Sequence, residues 1–239
     1  MRDRFRHRRC VATVVLVGLV LACGGPVPGK RPAPAPASTS PGSLSTPAVA
    51  TESRPRVVFL GDSLTAGYGL GEEDGFPARL GEALASRGLA VYVVNAGVSG
   101  DTSAGGLARL DWLMQQRPRV VVIGLGANDG LRGLPLERTE ANLREIVRTV
   151  RASGAEVLLL GMRIPPNYGA DYAGAFAALY PRLARELDVP LVPFLLEGIA
   201  AQPELNQADG IHPTAEGQKL VAANVLPHLE PIVRRVLAR

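Results

Sequence analysis

Four apolar residues, Val57 to Leu60, stop at Gly61, and Asp62 and Ser63 follow. A serine just after a strand ordinarily caps a helix, yet its hydroxyl becomes a nucleophile once a neighbouring base takes its proton. The chain offers few such bases. Of three histidines, His7 stands in the N-terminal leader and His228 in Leu-Pro-His-Leu-Glu-Pro, a surface position near the end of the last predicted helix. His212 stands in Gln-Ala-Asp-Gly-Ile-His-Pro-Thr, a loop just ahead of that helix. Asp209 precedes it by three residues, with Gly210 between them to allow a tight turn. That spacing lets the carboxylate reach one ring nitrogen and leaves the other free to accept a proton. Taken alone, Asp-x-x-His fits a simple loop cap better than a catalytic pair.

Elements that would bring such residues together are visible in the hydrophobic pattern. Short apolar runs at Val57–Leu60, Val91–Asn95, Val120–Leu125, Val157–Leu160 and Pro190–Phe194 predict five strands. Amphipathic stretches near 75–87, 103–116, 137–152, 171–187 and 214–236 predict helices between and after them. Alternation of this kind predicts a parallel sheet covered on both faces, an α/β/α fold in three layers. Ligands in such folds bind beyond the carboxyl ends of the strands. The loops there are Gly-Asp-Ser-Leu after the first strand, Ala-Gly-Val-Ser-Gly-Asp-Thr after the second and Gly-Ala-Asn-Asp-Gly after the third. Gly-Leu-Gly-Ala-Asn-Asp (124–129) follows a strand as a dinucleotide loop would but lacks that motif's third glycine, and no Gly-x-Ser-x-Gly elbow occurs. Asp62 and Asp129 are read as supports that accept backbone N–H groups.

Composition narrows the partners. Of 239 residues 46% are hydrophobic, enough for a sizeable core. Five of the 26 basic residues and one of the 22 acidic ones lie in residues 1–22, so the remainder balances at 21 of each. The basic character belongs to the leader, and nothing in the charge argues for nucleic acid. That leader is a cationic stretch followed by thirteen apolar residues, Cys10 to Ala22, which suits an export signal. It ends in Val-Leu-Ala-Cys-Gly-Gly, which resembles a bacterial lipoprotein processing site with Cys23 as the acylated residue. Secretion without lipid and an uncleaved anchor are the other readings. Residues 23–54 are rich in Pro, Ala, Ser and Thr and are expected to form an unfolded, semi-stiff tether ahead of a domain at 55–239. Both cysteines lie in or at the edge of the leader, so the domain has no thiolate for catalysis or zinc and no internal disulfide.

Together the loops carry more than Asp-x-x-His does alone. Gly-Asp-Ser-Leu-Thr-Ala-Gly-Tyr-Gly resembles the first sequence block of the GDSL family in its SGNH hydrolase branch. Ser-Gly-Asp-Thr (99–102), Gly-Ala-Asn-Asp-Gly (126–130) and Asp-Gly-Ile-His-Pro (209–213) resemble the remaining blocks, in the family's order. The resemblance spans residues 56–235. Within the family it is closer to the bacterial thioesterase I, lysophospholipase L1 and arylesterase group, through Ser-Gly-Asp-Thr-Ser-Ala-Gly-Gly-Leu-Ala-Arg-Leu, Asn-Asp-Gly-Leu-Arg-Gly and Ile-Pro-Pro-Asn-Tyr-Gly. It implies a flavodoxin-like sheet of five parallel strands. It also implies Ser63 as nucleophile, His212 as general base and Asp209 as the residue orienting that base. The N–H of Ser63, the N–H of Gly100 and the side-chain amide of Asn128 would form the oxyanion hole, and no cofactor or metal is implied.

Those assignments suit the chemistry. Preorganised donors are needed where negative charge collects in the tetrahedral intermediate. A glycine lets backbone approach a substrate closely, and an amide donates without titrating. A serine at a helix start also lies near the positive end of its dipole. The resemblance places an acyl groove at Met162 to Tyr172, with Arg163, Ile164, Pro165 and Tyr168 as wall residues, although Pro165-Pro166 also reads as a stiff turn. Gly67, Gly69 and Gly71 predict a mobile, open site. Acyl thioesters, lysophospholipids and aryl esters all fit as substrates, and export favours the esters. A carbohydrate O-acetyl esterase of the same fold and a non-catalytic lipid-binding lipoprotein are the competing readings. The enzyme is expected to act as a monomer, membrane-attached through its lipid.

Overall fold

The computed structural model describes residues 54–239; the leader, Cys23 and the tether up to residue 53 lie outside the described residues. Five strands form one sheet: β1 (Arg56–Gly61), β2 (Tyr92–Gly97), β3 (Val120–Gly124), β4 (Glu156–Leu160) and β5 (Leu191–Val192). All pairings are parallel, in the order β2-β1-β3-β4-β5. Central β1 and β3 are buried along nearly their whole length, whereas edge strand β2 is only half-buried. The fifth strand is shorter than its apolar run predicts. Pro190 and Pro193 bracket it, and proline has no N–H to give a ladder. Pairing with β4 is thereby confined to two residues, Leu191 and Val192.

The helices are α1 (Ser63–Ala66), α2 (Phe76–Ala85), α3 (Ser103–Ala108), α4 (Leu110–Met114), α5 (Ala127–Leu131), α6 (Leu136–Ala152), α7 (Ala170–Leu187) and α8 (Ala215–Leu237). The helix predicted over 103–116 is broken in two at Arg109, whose backbone leaves helical geometry at φ −103°, ψ 3°. Crossover direction assigns the layers. The β1–α2–β2 unit moves one way across the sheet, while β3–α6–β4 and β4–α7–β5 move the other. Right-handed crossovers therefore put α2 on one face and α6 and α7 on the opposite one. The last helix, α8, returns to pack beside α2. Apolar stripes match these positions: Phe76, Leu80 and Leu84 on α2, and Leu143, Ile146, Val147 and Val150 on α6, are fully buried. No helix among the described residues is long and apolar enough to cross a membrane.

The end of the sheet where the loops gather has an unusual surface. Gly97, Gly61 and Gly124 sit side by side in register across β2, β1 and β3. The single turn α1 rests directly on this row. A Cβ at Gly61 would lie 2.0 Å from Thr65 Oγ1, and one at Gly97 would lie 2.3 Å from the backbone nitrogen of Ala66. The turn beginning at Ser63 can press against the strand ends only because three neighbouring strands stop in residues without side chains. Gly97→Ala would drive a methyl group into backbone that has nowhere to go. It should lower stability by about 1–3 kcal/mol and displace the turn carrying Ser63. Thermal unfolding together with an activity assay would check both effects.

Candidate active site

Asp62, the last residue before α1, is buried, and its Oδ1 caps the turn by accepting the N–H of Leu64 at 3.0 Å. Ser63 opens the turn, so its own N–H has no carbonyl within the helix to bond. At four residues α1 is too short for the sizeable dipole expected at a helix start. Across the cleft, Ser63 Oγ lies 2.9 Å from His212 Nε2, and His212 Nδ1 lies 2.7 Å from Asp209 Oδ2. The other oxygen of Asp209 accepts the N–H groups of Ile211 and His212 at 3.0 Å each. Gly210, at φ 74°, makes that tight turn possible. The imidazole first and the two backbone N–H groups next hold the Asp209 carboxyl down at about 2. An ionised carboxylate can only accept, so Nδ1 carries the ring proton and Nε2 is left to accept from the serine hydroxyl.

The remaining loops bring in donors. Gly100 adopts φ 80°, a left-handed conformation that favours glycine, and its carbonyl accepts from Arg132 Nη2 at 2.8 Å. Asn128, on α5, gives one amide hydrogen to the carbonyl of Asp101 at 2.9 Å. Its second contact, to Asp62 Oδ2, is long at 3.4 Å. Asp101 is itself fixed by Arg109, whose Nε meets Asp101 Oδ2 at 2.8 Å. The same guanidinium donates to the carbonyls of Ala96 at 2.7 Å and Gly61 at 3.0 Å, tying the ends of β2 and β1 to the Gly100 loop. Arg109 breaks its helix at the point from which it makes these three bonds. Asp129 accepts from Ser103 and Thr139, which joins α5 to α3 and α6.

Ser63, Gly100, Asn128 and His212 line one cavity of about 540 Å³. Arg163, Ile164 and Pro165 stand in its wall, as the sequence predicts; Tyr168 does not. It ends a short 3₁₀ turn, Pro166–Tyr168, which the diproline initiates and which leaves the tyrosine ring on the outer surface. Leu131, Met162, Phe194 and Leu196 supply apolar wall that sequence reading did not single out. Leu131 lies inside a quoted motif, Phe194 ends a predicted strand, and Met162 and Leu196 each stand two residues beyond one; that placement was the available signal. Gly67 and Gly69 take left-handed backbone in a hydrogen-bonded turn, so they shape the loop instead of merely slackening it. Arg109 and Gln207 also escaped notice, since each is recognisable only by its partners in space.

Burial raises the Asp62 carboxyl to about 6, with the Leu64 N–H and the nearby imidazole pulling the other way. A carboxyl raised in the folded state holds more protons there than in the unfolded chain between pH 4 and 6. The stability it contributes is present below pH 4 and lost as pH rises through 6. Asp62→Asn removes that dependence. The stability of the variant relative to the parent should therefore rise by about 2 kcal/mol between pH 4 and pH 7. Urea unfolding at both pH values would test this; a difference that stays flat would contradict it.

Residues 59–220 match the GDSL-like lipase/acylhydrolase family. The chain is 47% identical over 178 residues to thioesterase 1/protease 1/lysophospholipase L1 of Escherichia coli (strain K12), covering 74% of this chain and 84% of that protein. It is 42% identical over 181 residues to an arylesterase of Vibrio mimicus, covering 75% of this chain and 90% of that protein. Among solved structures, that of TesA superposes with a TM-score of 0.72 at 46% identity, covering 74% of this chain and 99% of the other. A five-stranded parallel sheet whose carboxyl-end loops carry all four sequence blocks, matched over these lengths, has one reading: the chain belongs to the GDSL-like lipase/acylhydrolase family and is a hydrolase of ester bonds.

Proposed function

We propose that this chain is an exported serine esterase that works through an acyl-enzyme on Ser63. The observation that carries the reading is the unbroken hydrogen-bonded line from Asp209 through His212 to Ser63, at 2.7 and 2.9 Å, opening onto a largely apolar cavity. Ser63 Oγ attacks the carbonyl carbon of an acyl ester or thioester and passes its proton to His212 Nε2. Asp209, ionised throughout the neutral range, holds the ring and offsets the charge it gains. The oxyanion of the tetrahedral intermediate takes the N–H groups of Ser63 and Gly100. It also takes the Asn128 amide hydrogen that otherwise makes only the long contact to Asp62. As the carbonyl re-forms, the bond to the leaving group breaks and His212 protonates the departing alcohol or thiol. Water then attacks the acyl-enzyme, gives a proton to Nε2, and the acid leaves as Ser63 recovers its hydrogen.

Apolar walls at Met162, Ile164, Phe194 and Leu196 suit an acyl chain. The relatives bear the names of thioesterase, lysophospholipase and arylesterase. An exported enzyme rarely meets acyl-CoA, which favours lysophospholipids and other esters as substrates here. The proposal extends to the segments ahead of the domain: residues 1–22 direct export, Cys23 carries lipid, and 23–54 serve as a tether to a monomeric domain at 55–239 that works at the membrane.

Two variants test the catalytic part of this reading. Ser63→Ala should abolish both ester hydrolysis and labelling by a fluorophosphonate probe. Asn128→Ala should keep KM near the parent value while kcat falls about 100- to 1000-fold. Labelling that survives Ser63→Ala would remove the serine from its role. For the anchor, mass spectrometry of the native N-terminus should find Cys23 first and acylated, and Cys23→Ser should release the enzyme from the membrane fraction; an unmodified N-terminus elsewhere would dismiss the lipid.

A further inference from the structure

The imidazole at the centre of the proposed mechanism is carried on a surface loop. The side chain of Asp209 is 38% exposed, and His212 itself is partly so. One hydrogen bond at each ring nitrogen does not prevent such a ring from tilting. The feature that restrains it comes from the first sequence block. Tyr68 lies between Gly67 and Gly69, both left-handed at φ 72° and 77°, and its side chain stands half exposed at the cavity mouth. Its ring lies against that of His212, with centroids 4.6 Å apart and planes 36° from parallel.

Gln207 fastens the two loops beneath this contact. Its Nε2 donates to the carbonyl of Tyr68 at 2.7 Å and to that of Pro213 at 3.0 Å. Its backbone N–H donates to the carbonyl of His212 at 2.7 Å. Gly69 makes room for this: a Cβ there would sit 2.5 Å from Gln207 Oε1. One side chain thus spans the chain segments on either side of the histidine and the backbone of the tyrosine.

We propose that Tyr68 and Gln207 form a clasp that positions His212 for proton transfer and favours the imidazolium formed when Ser63 is deprotonated. The inference rests on the catalytic reading of Ser63 and His212. An aromatic face attracts a cation, so the ring gains attraction to the imidazole only when that imidazole has taken the proton. Such a gain belongs to the transition state and lowers the barrier without tightening substrate binding. Tyr68 and Gln207 are positioning residues, acting through His212.

The experiment uses the full chain with an aryl ester of a short acyl group, followed by steady-state kinetics. Tyr68→Leu should lower kcat about three- to tenfold with KM unchanged, and Tyr68→Phe should restore it, because the ring and not the hydroxyl faces the imidazole. Gln207→Ala should lower kcat in the same direction. The double variant should lose less than the product of the two single losses, since both act on one restraint. Four results would overturn the clasp: an unchanged kcat in Tyr68→Leu, a rise in KM at constant kcat, a Tyr68→Phe as slow as Tyr68→Leu, or a double variant equal to the product. A Ser63→Ala variant run alongside separates these from failure of the underlying mechanism, which would show as activity retained without the serine.

Discussion

The structure depends on a close approach between a helical turn and a sheet. Side chains normally keep such layers about 10 Å apart, yet here the turn bearing Ser63 lies in contact with strand ends. Gly61, Gly97 and Gly124 make this possible by presenting bare backbone in one row. Thr65 fills the space above them and is fully buried. The serine is therefore seated at the carboxyl end of β1, a buried strand paired on both sides, and the other site residues are brought to it.

What is brought arrives on loops, and loops need tethers. Hydrogen bonds between polar groups supply them. Arg109 spends its guanidinium on two strand-end carbonyls and on Asp101, whose own carbonyl receives the amide of Asn128. Asp129, buried, accepts three hydrogen bonds from Ser103 and Thr139. Burying such groups is costly unless every partner is present, which makes the loop geometry cooperative. Apolar packing provides the scaffold's stability, and these bonds determine where the donors point.

Much of this was legible in one dimension. Apolar runs bounded by glycine announce strands, because burial on both faces imposes an unbroken apolar pattern, and β1, β3 and β4 fall within a residue or so of their runs. Pro190 and Pro193 show the limit: hydrophobicity advertised five residues, and missing N–H groups left two paired. The break at Arg109 gave no local sign, and the carbonyls its side chain reaches lie thirteen and forty-eight residues away. In the site, the block motifs named Ser63, Gly100, Asn128, Asp209 and His212, and the fold gathers those five. Tyr168 was placed in the wall by its position in a motif, but a proline-initiated turn carries it outside. Gln207 has no signature of its own; a glutamine ahead of the His212 loop looks like any polar spacer until its two carbonyl partners are seen.

Asp209 and His212 sit within a single turn closed by their own backbone, so the pair travels as one preassembled piece. The remainder of the polypeptide has to hold this piece against the end of β1, just as it separately holds the loops of Gly100 and Asn128. Most of the cavity wall stands on other elements, so its shape can be altered while the contact between Asp209 and His212 is kept.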